Sequence, residues 1–230
     1  MRAQPIRAVV FDAVGTLIYP EPSVATVYTT VGRRCGSKLS EVDVARRFRA
    51  VFGELETRDR VGDQTTSEQS EYERWQTVVR RVLDDVTDHS ACFTELWRHF
   101  ASPSSWQVFP EVPAVLGALA AGGLRLAIAS NFDSRLFEIA RQIEAIRSCD
   151  PVLVSSQIGF RKPHARFFEA IPLALRNEPA EIMFVGDDPQ NDVVPARAAG
   201  FRAVLVDRAG AAANGTIKSL AELCATIMRE

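Results

Sequence analysis

Five short apolar runs, separated by amphipathic stretches, constrain this 230-residue chain more than any other feature in it. They are Ala8 to Phe11, Leu124 to Ala129, Pro151 to Val154, Ile182 to Val185 and Arg202 to Val206. None alternates cleanly between apolar and polar residues, so the strands they predict are covered on both faces, as parallel strands are. Helical periodicity at Val112 to Ala121, Ser134 to Ile143, Ala165 to Leu175, Asp192 to Ala199 and Thr216 to Met228 supplies the covers. The expectation is an α/β fold built on a doubly wound parallel sheet.

The segment from Pro20 to Pro103 breaks this alternation. It holds no convincing strand, but helical patterns recur near Val24 to Arg34, Ser40 to Phe52, Ser67 to Leu83 and Cys92 to Phe100. Ser40 followed by Asp43 is a helix-start signal. The charged stretch Thr57 to Thr66, with Gly62 inside it, reads as a loop between helices. The chain therefore divides into a core of residues 1–19 and 104–230 and a helical domain of residues 20–103, inserted after the first strand where it would cap an active site.

Composition narrows the partners. A net charge of −2 with 24% charged residues gives no basic excess for a polyanion, so nucleic acid is not expected. The most apolar stretch, Val112 to Ala129, is interrupted by Gly122, Gly123 and Arg125 and is not a membrane span. Cys35, Cys92, Cys149 and Cys224 are far apart, with neither metal-ligand nor disulfide-framework spacing. With no export signal visible at the N-terminus, the cytoplasm is the expected compartment. Oligomeric state is left open.

Ligands of open α/β sheets gather beyond the carboxyl ends of the strands. Four of the predicted strand ends carry polar groups: Asp12 after the first, Ser130 and Asn131 after the second, Lys162 after the third, and Asp187, Asp188 and Asp192 after the fourth. Taken singly, each has an ordinary structural reading: Asp12 as a turn residue, Ser130 or Asn131 as a helix cap, Lys162 as a solvated surface lysine. Together they suit attack on phosphorus. A carboxylate can form a covalent acyl phosphate and split one displacement into two. The phosphoryl charge needs donors and cations, which Ser130, Lys162, backbone amides after Asp12 and a magnesium ion would supply. Magnesium takes oxygen ligands and usually needs only one or two carboxylates. Asp12 and Asp187 meet that need, with Asp188 or Asp192 holding bound waters.

The segments FDAVGTL, LAIASN, GFRKP and FVGDDPQNDVVPARAAGF, in that order, resemble the four motifs of the haloacid dehalogenase superfamily. The resemblance covers roughly residues 7 to 20 and 105 to 207, and the insert carries no motif of its own. It implies a Rossmann-like core with Asp12 as nucleophile and Ser130 and Lys162 on the phosphoryl group. It also implies magnesium held by Asp187 and Asp192 with the backbone oxygen of Val14. SNFDSRLF is similar, over a few residues, to the haloacid dehalogenase-like hydrolase domain-containing subgroup.

One position departs from the pattern. Family phosphatases usually carry a second Asp two residues after the nucleophile as general acid and base, and here that position is Val14. Acid catalysis typically contributes about 10²–10⁴-fold, so activated substrates such as acyl phosphates would suffer least from its loss. Three readings follow: a magnesium-dependent hydrolase of a small phosphorylated metabolite, a catalytically weak binding or regulatory protein, and a metal-free 2-haloacid dehalogenase. A phosphonate-cleaving relative would need a cap lysine, and the insert has only Lys38.

Overall fold

The computed structural model describes residues 4–210 and 215–229. Six parallel strands form one sheet in the order β5-β4-β1-β6-β7-β8, with β1 (Ala8–Phe11), β4 (Arg125–Ser130), β5 (Val152–Val154), β6 (Ile182–Gly186), β7 (Arg202–Val206) and β8 (Thr216–Ile217). Successive side chains of a strand face opposite ways. Val9 and Phe11 of β1 accordingly join one apolar cluster with α5 (Val112–Ala121), α6 (Arg135–Gln142) and α10 (Leu223–Arg229). Ala8 and Val10 join the other, with α8 (Ala165–Leu175) and α9 (Val194–Ala198). Both faces are thus covered, and the fold is the doubly wound α/β arrangement that unalternated strands require.

Four helices interrupt the core after its first strand: α1 (Val24–Arg34), α2 (Glu41–Val61), α3 (Glu68–Val82) and α4 (His89–Ala101). They pack around their own cluster, with Tyr28, Val44, Leu55, Val78, Cys92 and Leu96 buried. Side-chain caps start each one: Ser23, Ser40, Ser67 and Asp88 accept from backbone N–H groups three residues on. A short antiparallel pair, β2 (Ile18–Pro20) and β3 (Trp106–Val108), joins the segments entering and leaving this helical unit.

Three segments take a different form from the sequence reading. The loop expected at Thr57 to Thr66 is helical as far as Val61, because Glu56 and Asp59 on α2 are paired by Arg74 of α3. Helix Asp192 to Ala199 is a π-helical turn, Pro189–Val193, followed by the short α9. The expected helix from Thr216 gives way to an edge strand, since Thr216 and Ile217 pair with Leu205 and Val206, and helix resumes only after Ser219. Among the described residues no helix is long and apolar enough to cross a membrane.

Candidate active site

Strand register sets the position of the site. Phe11 pairs with Ile128 on one side and Val185 on the other. One residue further on, Asp12 stands level with Ala129 and Gly186, and its N–H donates to the Val185 carbonyl at 2.9 Å. Ser130, buried at the end of β4, and Asp187, just past β6, lie next in register.

Lys162 arrives on the loop after the short helix α7 (Ser155–Ile158) and is 5% exposed. Its Nζ donates to Oδ1 of Asp12 and Oδ1 of Asp192, both at 2.6 Å, and to the Ala129 carbonyl at 3.3 Å. Burial alone would lower its pKa, but the charges of Asp12 and Asp192 outweigh it and raise it further, so the ammonium stays protonated. Asn131 holds this loop: its Oδ1 accepts from the Lys162 N–H at 2.7 Å and its Nδ2 donates to the Lys162 carbonyl at 3.0 Å. The Asn131 amide thus positions the lysine loop.

Oxygens of Asp12, Asp187 and Asp192 lie within 4.8 Å of one another. Two glycines make room for this crowding. A Cβ on Gly186 would overlap the Asp192 carboxylate, and one on Gly15 would overlap that of Asp187. Gly15 also has φ +90°, a conformation open to glycine but costly for other residues. Thr16 donates to Asp187 at 3.3 Å, and the Asp188 N–H to Asp192 at 3.1 Å.

Desolvation, followed by repulsion from Asp12 and Asp192, pushes the Asp187 carboxyl up to about 7, even though its outer side is open to solvent. Desolvation likewise pushes Asp192 up to about 6, with Asp12 adding to the rise and Lys162 opposing it. Three carboxylates share one ammonium, and Lys162 donates to only two of them. The donor set is all oxygen and short of positive charge, which fits a hard divalent cation.

One expectation is corrected. Asp188 was expected near the metal, but its Oδ1 accepts from the N–H groups of Gln190 and Asn191 and its Oδ2 from the Asn191 amide. It caps the turn that follows and stands outside the carboxylate cluster. His164, the one histidine near a motif, accepts from the Arg166 N–H at 3.1 Å and stacks on Phe160, so it starts α8. Val14 contributes no proton donor, and its side chain lines an apolar cavity of about 280 Å³ between the core and the four helices.

Sequence reasoning missed that cavity. Its walls include Tyr28, Phe52, Trp75, Trp97, Trp106 and Phe132, whose spacing in the sequence marks them only as packing residues. Arg135 also lines it, held by Asp133 through two 2.7 Å bonds and stacked 3.4 Å from the centre of the Trp97 ring. The junction of the two units was missed as well. Thr66 N–H donates to the Gly159 carbonyl and Arg161 N–H to that of Gln64, while the Arg161 side chain pairs with Glu56 and Glu71. Glu68 accepts from Ser134, Ser156 and Gln157. Arg161 in GFRKP was the one available signal, a second cation beside Lys162 whose buried partners are about ninety or more residues away.

A family model described as haloacid dehalogenase-like hydrolase matches residues 6–200. Over 210 residues the chain is 31% identical to haloacid dehalogenase-like hydrolase domain-containing protein 3 of Bos taurus, covering 87% of this chain and 82% of that one. A phosphoserine phosphatase of Thermus thermophilus is 36% identical over 111 residues, 47% of this chain and 44% of that enzyme. The L-2-haloacid dehalogenase of Xanthobacter autotrophicus, solved with chloropropionic acid covalently bound, shares the fold: TM-score 0.75 and 19% identity over 97% of this chain and 98% of that one. On the family match and the near full-length bovine relative, the chain belongs to the haloacid dehalogenase-like hydrolases.

Proposed function

We propose that this protein is a magnesium-dependent phosphohydrolase in which Asp12 is the nucleophile and residues 20–103 form a cap that selects a small phosphorylated substrate. The observation that carries this reading is the cluster of Asp12, Asp187 and Asp192 around a single lysine. Asp12, Asp187 and Asp192, with the backbone oxygen of Val14, would hold the magnesium, which when bound supplies positive charge for the phosphoryl oxygens. Asp12 attacks phosphorus through a carboxylate oxygen. Lys162 aligns that carboxylate and meets the phosphoryl charge, and Ser130 donates a hydrogen bond to the same group. The phosphoserine phosphatase among the relatives supports phosphoryl chemistry. A 2-haloacid dehalogenase, the chemistry of the Xanthobacter enzyme, has no phosphoryl charge to neutralise and leaves the Asp187 carboxylate unexplained. The direct test is turnover of acyl and aryl phosphates, and of 2-haloacids, with magnesium and with chelator. Phosphate release only with magnesium is expected, whereas halide release independent of metal would reverse the assignment.

The raised carboxyls give a pH prediction with a defined sign. Asp187 and Asp192 hold protons in the metal-free fold up to about pH 7 and 6, above their ordinary range. Their contribution to stability is therefore complete below that ordinary range and is lost as pH rises through 6 to 7. Magnesium replaces those protons, so its gain in melting temperature should be larger at pH 8 than at pH 5.5. Equal shifts at both pH values would show that these carboxyls are not ligands.

Val14 gives a second prediction. With no acid to protonate the departing oxygen, rates should fall steeply as the leaving group becomes more basic, and Val14→Asp should raise turnover of alkyl phosphates about tenfold or more. The gain should fall short of the full range because the surrounding wall is apolar and does not orient a carboxyl group. A flat dependence on leaving group in the wild type would mean that another residue supplies the proton.

A further inference from the structure

The cavity beside Val14 narrows the substrate further. At about 280 Å³ it lies near the small end of ligand pockets, which run from roughly 300 to 1,000 Å³. An engineered apolar cavity of roughly 150 Å³ holds benzene in another protein, so this one has room for one or two rings, too little for a nucleotide. Val14, Asn131 and Phe132 lie on its core side, within two residues of Asp12 and Ser130, and the opposite walls come from the helical unit. Its aromatic rings offer faces and edges to a flat guest. No acidic side chain is among the lining residues, and the one cation, Arg135, gives two bonds to Asp133 and is stacked on Trp97. A quaternary ammonium would meet a like charge there with no carboxylate beside it, and a highly polar guest such as a sugar would lose its hydration against mainly apolar walls.

We propose that the natural substrate is an aromatic phosphate whose leaving group, a phenol or aromatic carboxylic acid, seats its ring in this cavity. The proposal deepens the phosphohydrolase reading and rests on it. Two independent features agree: the cavity favours an apolar ring, and Val14 demands an oxygen acidic enough to depart unprotonated. An Asp12 oxygen bonds to phosphorus while the phosphorus–oxygen bond to the aryl or acyl group breaks, its electron pair leaving on that oxygen. Water then cleaves the aspartyl phosphate, restoring the Asp12 carboxylate and releasing phosphate, for a net consumption of one water.

The test holds leaving-group acidity nearly constant and varies the body. Benzoyl phosphate and acetyl phosphate derive from acids of similar strength, and with magnesium the wild-type protein should favour benzoyl in kcat/KM by about tenfold or more. The two-ring phenol 2-naphthol should inhibit competitively. Trp75→Ala and Phe52→Ala, each with its fold checked by circular dichroism, should lower the benzoyl-to-acetyl ratio towards one. A wild-type ratio near one, or a preference for octanoyl phosphate over benzoyl, overturns the aromatic assignment while the phosphohydrolase reading stands. No magnesium-dependent turnover of either acyl phosphate overturns both.

Discussion

Asp12→Asn abolishes turnover, by more than about a hundredfold, while leaving the fold intact. The amide is close to isosteric and its oxygen can still accept from Lys162 Nζ, which bonds Asp12 at 2.6 Å. It cannot attack phosphorus. Removing one of three crowded negative charges also relieves the repulsion that raises Asp187 and Asp192. The variant should therefore melt at the same temperature as the wild type or higher in chelator, and lower only when magnesium is present. Residual activity above about one hundredth of wild type would mean that water attacks the substrate directly.

Lys162→Met has the second large effect, and it falls on stability as well as activity. The lysine is buried between Asp12 and Asp192, and breaking a buried ion pair from one side typically costs about 3–5 kcal/mol because the remaining charge is left unpaired. Methionine fills most of the lysine's volume, so the loss reports charge more than a cavity. Chemical denaturation in chelator should show that loss at pH 8, and the difference should shrink at pH 5.5, where Asp187 and Asp192 take up protons, or on adding magnesium. Vanadate binding should weaken by roughly 1.5–3 kcal/mol through loss of a charge-assisted bond. A loss below about 1 kcal/mol that does not vary with pH would assign Lys162 an unimportant place in the site.

These effects concern residues that stood out in the sequence, for a definite reason. A parallel strand buried on both faces leaves an apolar run, and the sheet delivers whatever follows that run to one edge. Ala8 to Phe11 is found within its expected bounds, and the runs at Leu124, Pro151 and Ile182 shift by one residue at one or both ends. That was enough to foresee Asp12, Lys162, Asp187 and Asp192 as neighbours. Asp188 differs from its expected place because three acids within GDDPQND do not reveal which carboxylate turns back to cap the chain. Strands β2 and β3 escaped because three residues ending at Pro20 or starting at Trp106 carry no periodicity. The start of α10 was misplaced because an edge pairing with β7 competes with helix at Thr216. The charged end of α2 reads as loop in the sequence because its partners, Arg74 and Arg161, lie on other elements. Likewise, the aromatic cavity draws its walls from residues as far apart as Val14 and Arg135, and only the docking of four helices on the core gathers them.

The account turns on a covalent bond between Asp12 and phosphorus, and mass spectrometry of protein quenched during turnover tests it most directly. Wild-type protein mixed with excess benzoyl phosphate and magnesium, stopped in acid and digested, should carry one phosphoryl group on the peptide containing Asp12, and none with chelator or in Asp12→Asn. Steady turnover with no phosphoryl adduct, with the adduct on another peptide, or unaffected by chelator would contradict it.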